Sequence, residues 1–270
     1  ADLVGISLCY KPGYSGYIPL KHKSGKNLNS SKILKILKPY LEDKSIKKIG
    51  QNIKFDYIIF FKRGIKISSM EDTMLMSYVL DAGRNRHNLD TLAEIHLKHK
   101  NISFKELVGT GKKQLNFSEV DIELAKDYAA EDADITLRLY NLFLQNLRSE
   151  KLIKIYENFE KPMIEILAKM EICGVKIDKK FLTKLSNKFS KKIENLETAI
   201  FKITKSKFNI GSTKQLGEIL YNQLKIASLK RTKKGSFATS ASVLEDLAFK
   251  GHKLPKLILD WRQLTKLKNT

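Results

Sequence analysis

The 270-residue chain has room for one large domain or two of ordinary size, and its 42% hydrophobic content supports packed cores and excludes a disordered tail. Lysine and arginine (50) outnumber the acids (29), leaving a net charge of +21 and a pI near 9.7. Lysine is spread along the whole length, so part of the excess can be compositional, but a field of this size favours polyanions, nucleic acid first, with salt-sensitive binding. Cys9 and Cys173 form no CxxC or Cys/His metal pattern. No apolar run reaches the ~20 residues a membrane span requires and no signal peptide is evident. The expectation is a cytoplasmic protein with no membrane partner.

In chain order, Leu3 to Tyr10 is rich in β-formers, and the turn signal Pro12-Gly13 with a second run, Tyr17 to Leu20, predicts a hairpin. Asn29 to Ser31 can cap a helix that carries Ile33, Leu34, Leu37, Tyr40 and Leu41 on one face. A short strand, Ile46 to Ile49, leads into Gly50-Gln51-Asn52-Ile53-Lys54-Phe55-Asp56, and Tyr57 to Phe61 reads as a buried helix. Asp56 then stands where a strand hands over to a helix, a common place for functional side chains in α/β folds. Taken alone, the residue reads better as a helix cap, worth about 1 kcal/mol. Residues 70–98 read as helical with a polar break at 83–88, and Phe104 lies in a short segment bounded by Gly109 and Gly111.

A long helix is predicted from about Ser118 to Leu147, because Ala, Leu, Glu, Lys and Arg dominate and neither Gly nor Pro interrupts it. At ~3.6 residues per turn, Leu124, Tyr128, Asp132, Ile135, Leu139 and Leu142 share an arc of roughly 80°. Asp127, Glu131 and Asp134 point elsewhere. An ionised Asp on a core-facing stripe is costly unless a cation or a hydrogen bond meets it, and Tyr128, four residues before Asp132, can act at the same spot. Most helical carboxylates are solvated surface charges, so the helix by itself leaves both readings open. Strands giving way to helices in the order β-β-α-β-α suggest a mixed sheet with helices packed on it.

From about residue 149 the strand signal fades. Pro162 fits a helix restart, Gly174 to Asp178 a turn, and Lys179 to Thr204 a long helix. Ser212 with Gln215, and Ser242 with Glu245, form capping-box patterns. A basic loop, Lys230 to Gly235, lies between them. The last helix is predicted to start near Pro255 at its first position, with Leu257, Trp261 and Leu264 on one face and Arg262 and Lys266 on the other.

Four motifs carry a family resemblance. Gln51-Asn52-Ile53-Lys54-Phe55-Asp56 resembles the second motif of the proofreading 3′–5′ exonucleases, and Tyr128-Ala-Ala-Glu-Asp132-Ala-Asp134 their third, Tyr-x-x-x-Asp motif. Phe208 to Leu216 and Trp261 to Lys268 are similar to the thumb region of the bacterial family A (DNA polymerase I) enzymes. Any one of these is weak; four in that order are specific. The resemblance implies a ribonuclease H-like exonuclease domain over 1–148 and the start of a family A polymerase domain, mainly thumb, over 149–270.

The resemblance also implies a chemistry. Two divalent ions, Mg²⁺ or Mn²⁺, ~3.5–4 Å apart would stabilise the attacking and leaving oxygens of a phosphodiester, and hard ions prefer carboxylate oxygens. Asp132 would be one metal ligand, Asp56 would complete the second metal site, and Tyr128 would orient the attacking water. Gln51, Asn52 and Arg86 would contact the terminal nucleotides, and Phe104 would stack on frayed bases of a single-stranded 3′ end unless it only packs a short helix. Ser212, Thr213 and Lys214 could hold a phosphate, although Ser212 can equally be a cap. Arg262 and Lys266 resemble thumb residues that grip duplex DNA, and the loop 230–235 reads equally as a DNA contact or as a basic loop with none.

One departure matters. The family's first motif, Asp-x-Glu on a central strand, would fall just before Ala1, and Asp121-Ile122-Glu123, with the right letters, reads as helical surface charge. The expectation is therefore a fragment with an incomplete metal site, a compromised core and no polymerase catalytic motifs. The parent would be a monomeric DNA polymerase acting in replication and repair. The competing reading is a non-catalytic DNA-binding and strand-positioning module.

Overall fold

The computed structural model describes residues 2–111, 114–226 and 237–269. The chain divides into two compact units, 1–174 and 175–270. In the first, β1 (Gly5–Lys11) pairs antiparallel with β2 (Tyr14–Pro19), and Gly13 makes the turn at φ +83°. Helix α1 (Ser30–Glu42) starts at Asn29, whose side chain accepts from the Lys32 amide. Strand β3 (Lys48–Gly50) turns tightly into α2 (Ile53–Phe61). Only glycine fits at the corner, since a Cβ on Gly50 would lie 2.9 Å from Ile53 Cβ.

Two expectations change here. Residues 70–98 do not begin as helix: Met70–Asp72 is a strand, β4, parallel to β3 with Gly50 opposite Asp72. Three residues are too few to show an alternating pattern. Asp56 lies one turn inside α2, so it neither caps that helix nor sits at the junction. Helix α3 (Thr73–Asp81) follows β4 directly, and α4 (Leu89–Leu92) runs on through a π-helical turn, Ala93–Leu97.

Helix α5 (Phe104–Val108) and a 3₁₀ turn, Phe117–Glu119, lead to α6 (Ile122–Ser149), capped by Asp121. Helix α6 packs on β1, β2, β3 and α3. It buries Ala125, Ala129, Ile135, Thr136, Leu139, Tyr140, Phe143 and Leu147. The expected arc is thus half right, because Leu124 is 58% exposed. The buried face rotates along the helix: Ala125 meets Val108 and Val120, while Leu139 and Phe143 share a core with Met76, Leu92 and Tyr156.

Helix α7 (Ile153–Ile155), a π-helical turn at Tyr156–Glu160 and α8 (Lys161–Cys173) complete the unit. Pro162 sits in the first turn of α8, where its missing N–H is harmless. Helix α8 packs on α2, with Ala168 and Ile172 in the cluster of Tyr57 and Phe60.

The second unit is mainly helical: α9 (Lys179–Thr204), α10 (Thr213–Gly217) continuing as a π-helical stretch to Gln223, α11 (Ala241–Phe249) and α12 (Lys253–Asn269). Ile200, Leu216, Leu220, Leu244, Leu254 and Ile258 form its core. The cap of α11 is Ser240, not Ser242, and Pro255 is the third residue of α12. The basic loop 230–235 lies outside the described residues. Among those described, no helix is long and apolar enough to cross a membrane.

One buried polar chain braces the first unit. Glu71, 3% exposed, accepts from Lys161 Nζ at 2.8 Å and from the Tyr156 hydroxyl at 2.9 Å. Lys161→Met would leave that carboxylate largely unpaired, since Lys47 stands off at 3.7 Å. Breaking a buried pair costs about 3–5 kcal/mol, so urea unfolding should show a loss of about 3 kcal/mol; a loss below about 0.5 kcal/mol would rule out the brace.

Candidate functional site

Helix α6 presents Tyr128 and Asp132 one turn apart. Burial pushes the Asp132 carboxyl up, the Tyr128 hydroxyl's hydrogen bond opposes this, and the Asp90 and Glu131 carboxylates add to it, for a value of about 7. Tyr128 is raised as well, by burial and then by Asp132, so its phenol stays protonated at neutral pH. It can orient a neighbour by hydrogen bonding but cannot act as a base. The ring of Phe104, 41% exposed, lies 5.9 Å from that of Tyr128. Phe117 closes the triangle, 6.2 Å from Phe104 and 6.1 Å from Tyr128.

Phe117 and Asp90 are absent from the sequence-based set. Phe117 precedes α6 and so falls outside its periodicity, and Asp90 lies in the first turn of α4, far away in the chain. Asn101 Nδ2 donates to Asp90 at 3.5 Å, while Asn101 Oδ1 is buried without a partner. Two other acids of α6 tie elements together. Glu131 accepts from the Ile102 amide at 2.7 Å and pairs with His99 at 2.8 Å. Asp134 accepts from the Gly13 amide at 2.6 Å and from Arg138 Nε at 2.7 Å.

A second acidic position is built at the start of α2. Burial among α2 and its neighbours pushes Asp56 up to about 6, its own backbone amide opposes this, and the Asp72 carboxylate raises it further. Its residue surface nonetheless stays open to solvent, which is the better guide to how strongly water screens it. Gln51 is not free to meet a ligand: Nε2 donates to the His87 carbonyl at 2.7 Å and Oε1 accepts from Thr73 Oγ1 at 2.5 Å. This ties the turn to the 82–88 segment on which Arg86 is exposed. Asn52 adopts the left-handed conformation, and its side chain makes no cap. The structure thus brings Phe104, Tyr128 and Asp132 together, and sets Gln51, Asn52 and Asp56 along the turn from β3 into α2.

In the second unit, Ser212 Oγ accepts from the Gln215 amide at 3.4 Å, the capping alternative. Gln215 Oε1 turns to the Asn209 amide at 2.7 Å instead of closing the box. Thr213 and Lys214 are exposed beside it. Arg262 is partly buried, and its Nη1 donates to the Thr239 carbonyl at 2.7 Å, whereas Lys266 is exposed. Trp261 Nε1 donates to Glu197 on α9 at 2.9 Å.

Comparison with known proteins gives these positions a frame. Residues 1–148 match a model of the 3′–5′ exonuclease family and residues 179–270 one of the DNA polymerase family A. The chain belongs to the family A DNA polymerases and carries their 3′–5′ exonuclease portion. It is 41% identical to DNA polymerase I of Rhizobium leguminosarum, over the whole chain and 28% of that protein. Against DNA polymerase I of Pseudomonas aeruginosa the figures are 38%, the whole chain and 30%. The chain therefore spans under a third of the length of these relatives. A solved structure of the POL domain of Pol1 from M. smegmatis, in complex with DNA primer-template and dNTP, superposes with a TM-score of 0.69 at 24% identity, over 95% of this chain and 41% of that one. The ribonuclease H-like fold with a helical, thumb-like region after it is thereby established.

The family implies use of divalent metal. Among the described residues, no cationic side chain acts on Asp56 or Asp132, which suits a cation. The donor count does not suit two: among the described residues, no group of three or more His, Cys, Asp or Glu side chains could hold an ion. Asp56 feels Asp72, and Asp132 feels Asp90 and Glu131.

Titration of Asp132 has a sign. Its folded pKa, about 7, exceeds the ordinary 3.8, so its contribution to stability is fully present below about pH 4 and is lost as pH rises through 7. Discounted for partial exposure, that loss is on the order of 2 kcal/mol, and Asp56, raised to about 6, acts in the same direction. Asp132→Asn should therefore be the more stable form at pH 8 and no more stable at pH 4, by urea denaturation without metal. Equal stability at pH 8 would contradict the electrostatics.

Proposed function

We propose that the chain is the proofreading exonuclease and thumb portion of a cytoplasmic, monomeric DNA polymerase I acting in DNA replication and repair. Residues 1–148 correspond to the exonuclease domain and 149–270 to the start of the polymerase domain. The single observation that carries the reading is the grouping of exposed Phe104, Tyr128 and Asp132. An aromatic wall beside a charge-frustrated carboxylate accepts a frayed base of any sequence and brings its phosphodiester to an acidic centre. Asn52, Asp56 and Arg86 would meet the terminal nucleotides from the second position. Gln51 would act from behind, by fixing the turn. Lys214, Lys266 and, through its partly exposed edge, Arg262 would face duplex backbone, with Ser212 and Thr213 shaping the loop beside it.

In this reading Asp56 and Asp132 would be ligands of divalent ions, Mg²⁺ or Mn²⁺, two in number, which would supply water activation and charge stabilisation at the phosphate. The described residues do not complete that donor set, so no hydrolytic step is derived from them. The same observation favours a second reading for the chain by itself: a DNA-binding and strand-positioning module that does not cleave.

A 3′-labelled single strand, incubated with Mg²⁺ or Mn²⁺ and with EDTA, separates the two. The chain is expected to bind DNA in a salt-dependent way and to release little or no nucleotide. Metal-dependent release abolished by Asp132→Ala would overturn the donor-count argument, and absence of DNA binding would overturn the assignment. Phe104→Ala should weaken single-strand binding by roughly 5- to 100-fold, the loss of one stacked base, and leave duplex binding alone. An unchanged affinity would mean that Phe104 serves only to pack α5.

A further inference from the structure

Asp72 ends β4 and is 1% exposed. Its Oδ1 accepts from the Asn52 amide at 3.0 Å and the Met74 amide at 2.9 Å, and its Oδ2 accepts from the Ile53 amide at 3.0 Å. One carboxylate therefore caps two helices. It is the N-cap residue of its own helix, α3, and it also satisfies the first amides of α2, twenty positions earlier in the chain.

The second role is unusual, because α2 has a residue in its own cap position. Asn52 is a good capping residue by type, but here it stands at φ 57°, ψ 48°, and its side chain makes no cap. L residues seldom adopt that conformation. Asn tolerates it better than most, and here the hydrogen bonds from the Asn52 and Ile53 amides to Asp72 fix it. The result frees the Asn52 side chain and places Asp56 one turn further along the same helix. Behind the clamp, the Asp72 amide donates to the Tyr156 hydroxyl at 3.0 Å, which donates to Glu71. The brace thus continues into the turn that opens α8, the helix packed on α2.

We propose that Asp72 is a positioning residue for the strand-end site: by capping α2 from β4 it holds Asn52 in its left-handed turn and sets the direction in which Asn52 and Asp56 meet a 3′ nucleotide. The inference rests on the DNA-end reading above. A merely structural cap would change stability and nothing else.

The test uses the full chain, Asp72→Asn and Tyr156→Phe, with a linear single strand bearing a 3′ hydroxyl and a circular single strand without an end. Amide hydrogen exchange reports the clamp, and the linear-to-circular affinity ratio reports the end site. In Asp72→Asn, exchange at Asn52 and Ile53 should accelerate at least roughly tenfold while α6 amides stay protected, and the preference for ends should fall by a similar factor. Tyr156→Phe, which removes only the rear brace, should shift both in the same direction by less, and it carries the comparison if Asp72→Asn does not fold. An unchanged end preference in a folded variant, or unchanged exchange at Asn52 and Ile53, overturns the proposal. No end preference in the wild-type chain would remove the DNA-end reading and the positioning role together, while the exchange data would still show whether the clamp exists.

Discussion

The geometry of the first unit depends on one buried carboxylate, Asp72. Strands β3 and β4 pair over only three residues each, too short a ladder to fix the angle at which two helices leave it. Asp72 supplies what the ladder lacks. Its three amide hydrogen bonds tie the N-termini of α2 and α3 to the end of β4. Burial raises its pKa and these amides oppose the rise, so its charge is held by backbone dipoles and not by a cation. Buried charge of this kind is tolerable because the acceptor capacity is met and the positive ends of two helices converge on it.

The same reasoning separates Asp72 from Asp56 and Asp132. Those two carboxylates lack equivalent donors: Asp132, partly buried, has one phenol, and Asp56, whose surface is open to solvent, only its own backbone. Each also has an acidic neighbour. A side chain in that state binds a proton near neutrality or waits for a cation, whereas Asp72 needs neither. Burial by itself therefore does not mark the chemical positions. What marks them is burial without satisfaction.

Much of this was readable from residues alone, for identifiable reasons. The hairpin, α1 and the two long helices announce themselves through turn chemistry, caps and uninterrupted helix formers, and Tyr128 with Asp132 through helical spacing. Strand β4 was hidden because three residues carry no period, and with it went Asp72. Leu124 was misplaced because α6 changes neighbours along its length, so one fixed face cannot describe it. Gln51 looked available because an amide shows no sign, in sequence, that Thr73 and His87 will occupy both of its ends. Phe117 and Asp90 reach Tyr128 and Asp132 only through tertiary contact, which no local pattern encodes.

Charge gives the last constraint. The chain as a whole is strongly basic, yet both candidate carboxylates have acidic neighbours, Asp72 beside Asp56, and Asp90 and Glu131 beside Asp132. In the proposed reading, a DNA strand drawn in by the general field would meet local repulsion at these carboxylates. Attraction that falls off within ~8 Å at physiological salt cannot overcome carboxylates in direct contact. On that reading the end would need a hold insensitive to charge, and the Phe104, Phe117 and Tyr128 rings, packed on one another, are what could supply it. Aromatic stacking does not read base identity. The acidic centre can then favour cations over bare phosphate without losing the strand. On this account the aromatic wall and the acids form one device, in which stacking supplies the affinity that the carboxylates oppose.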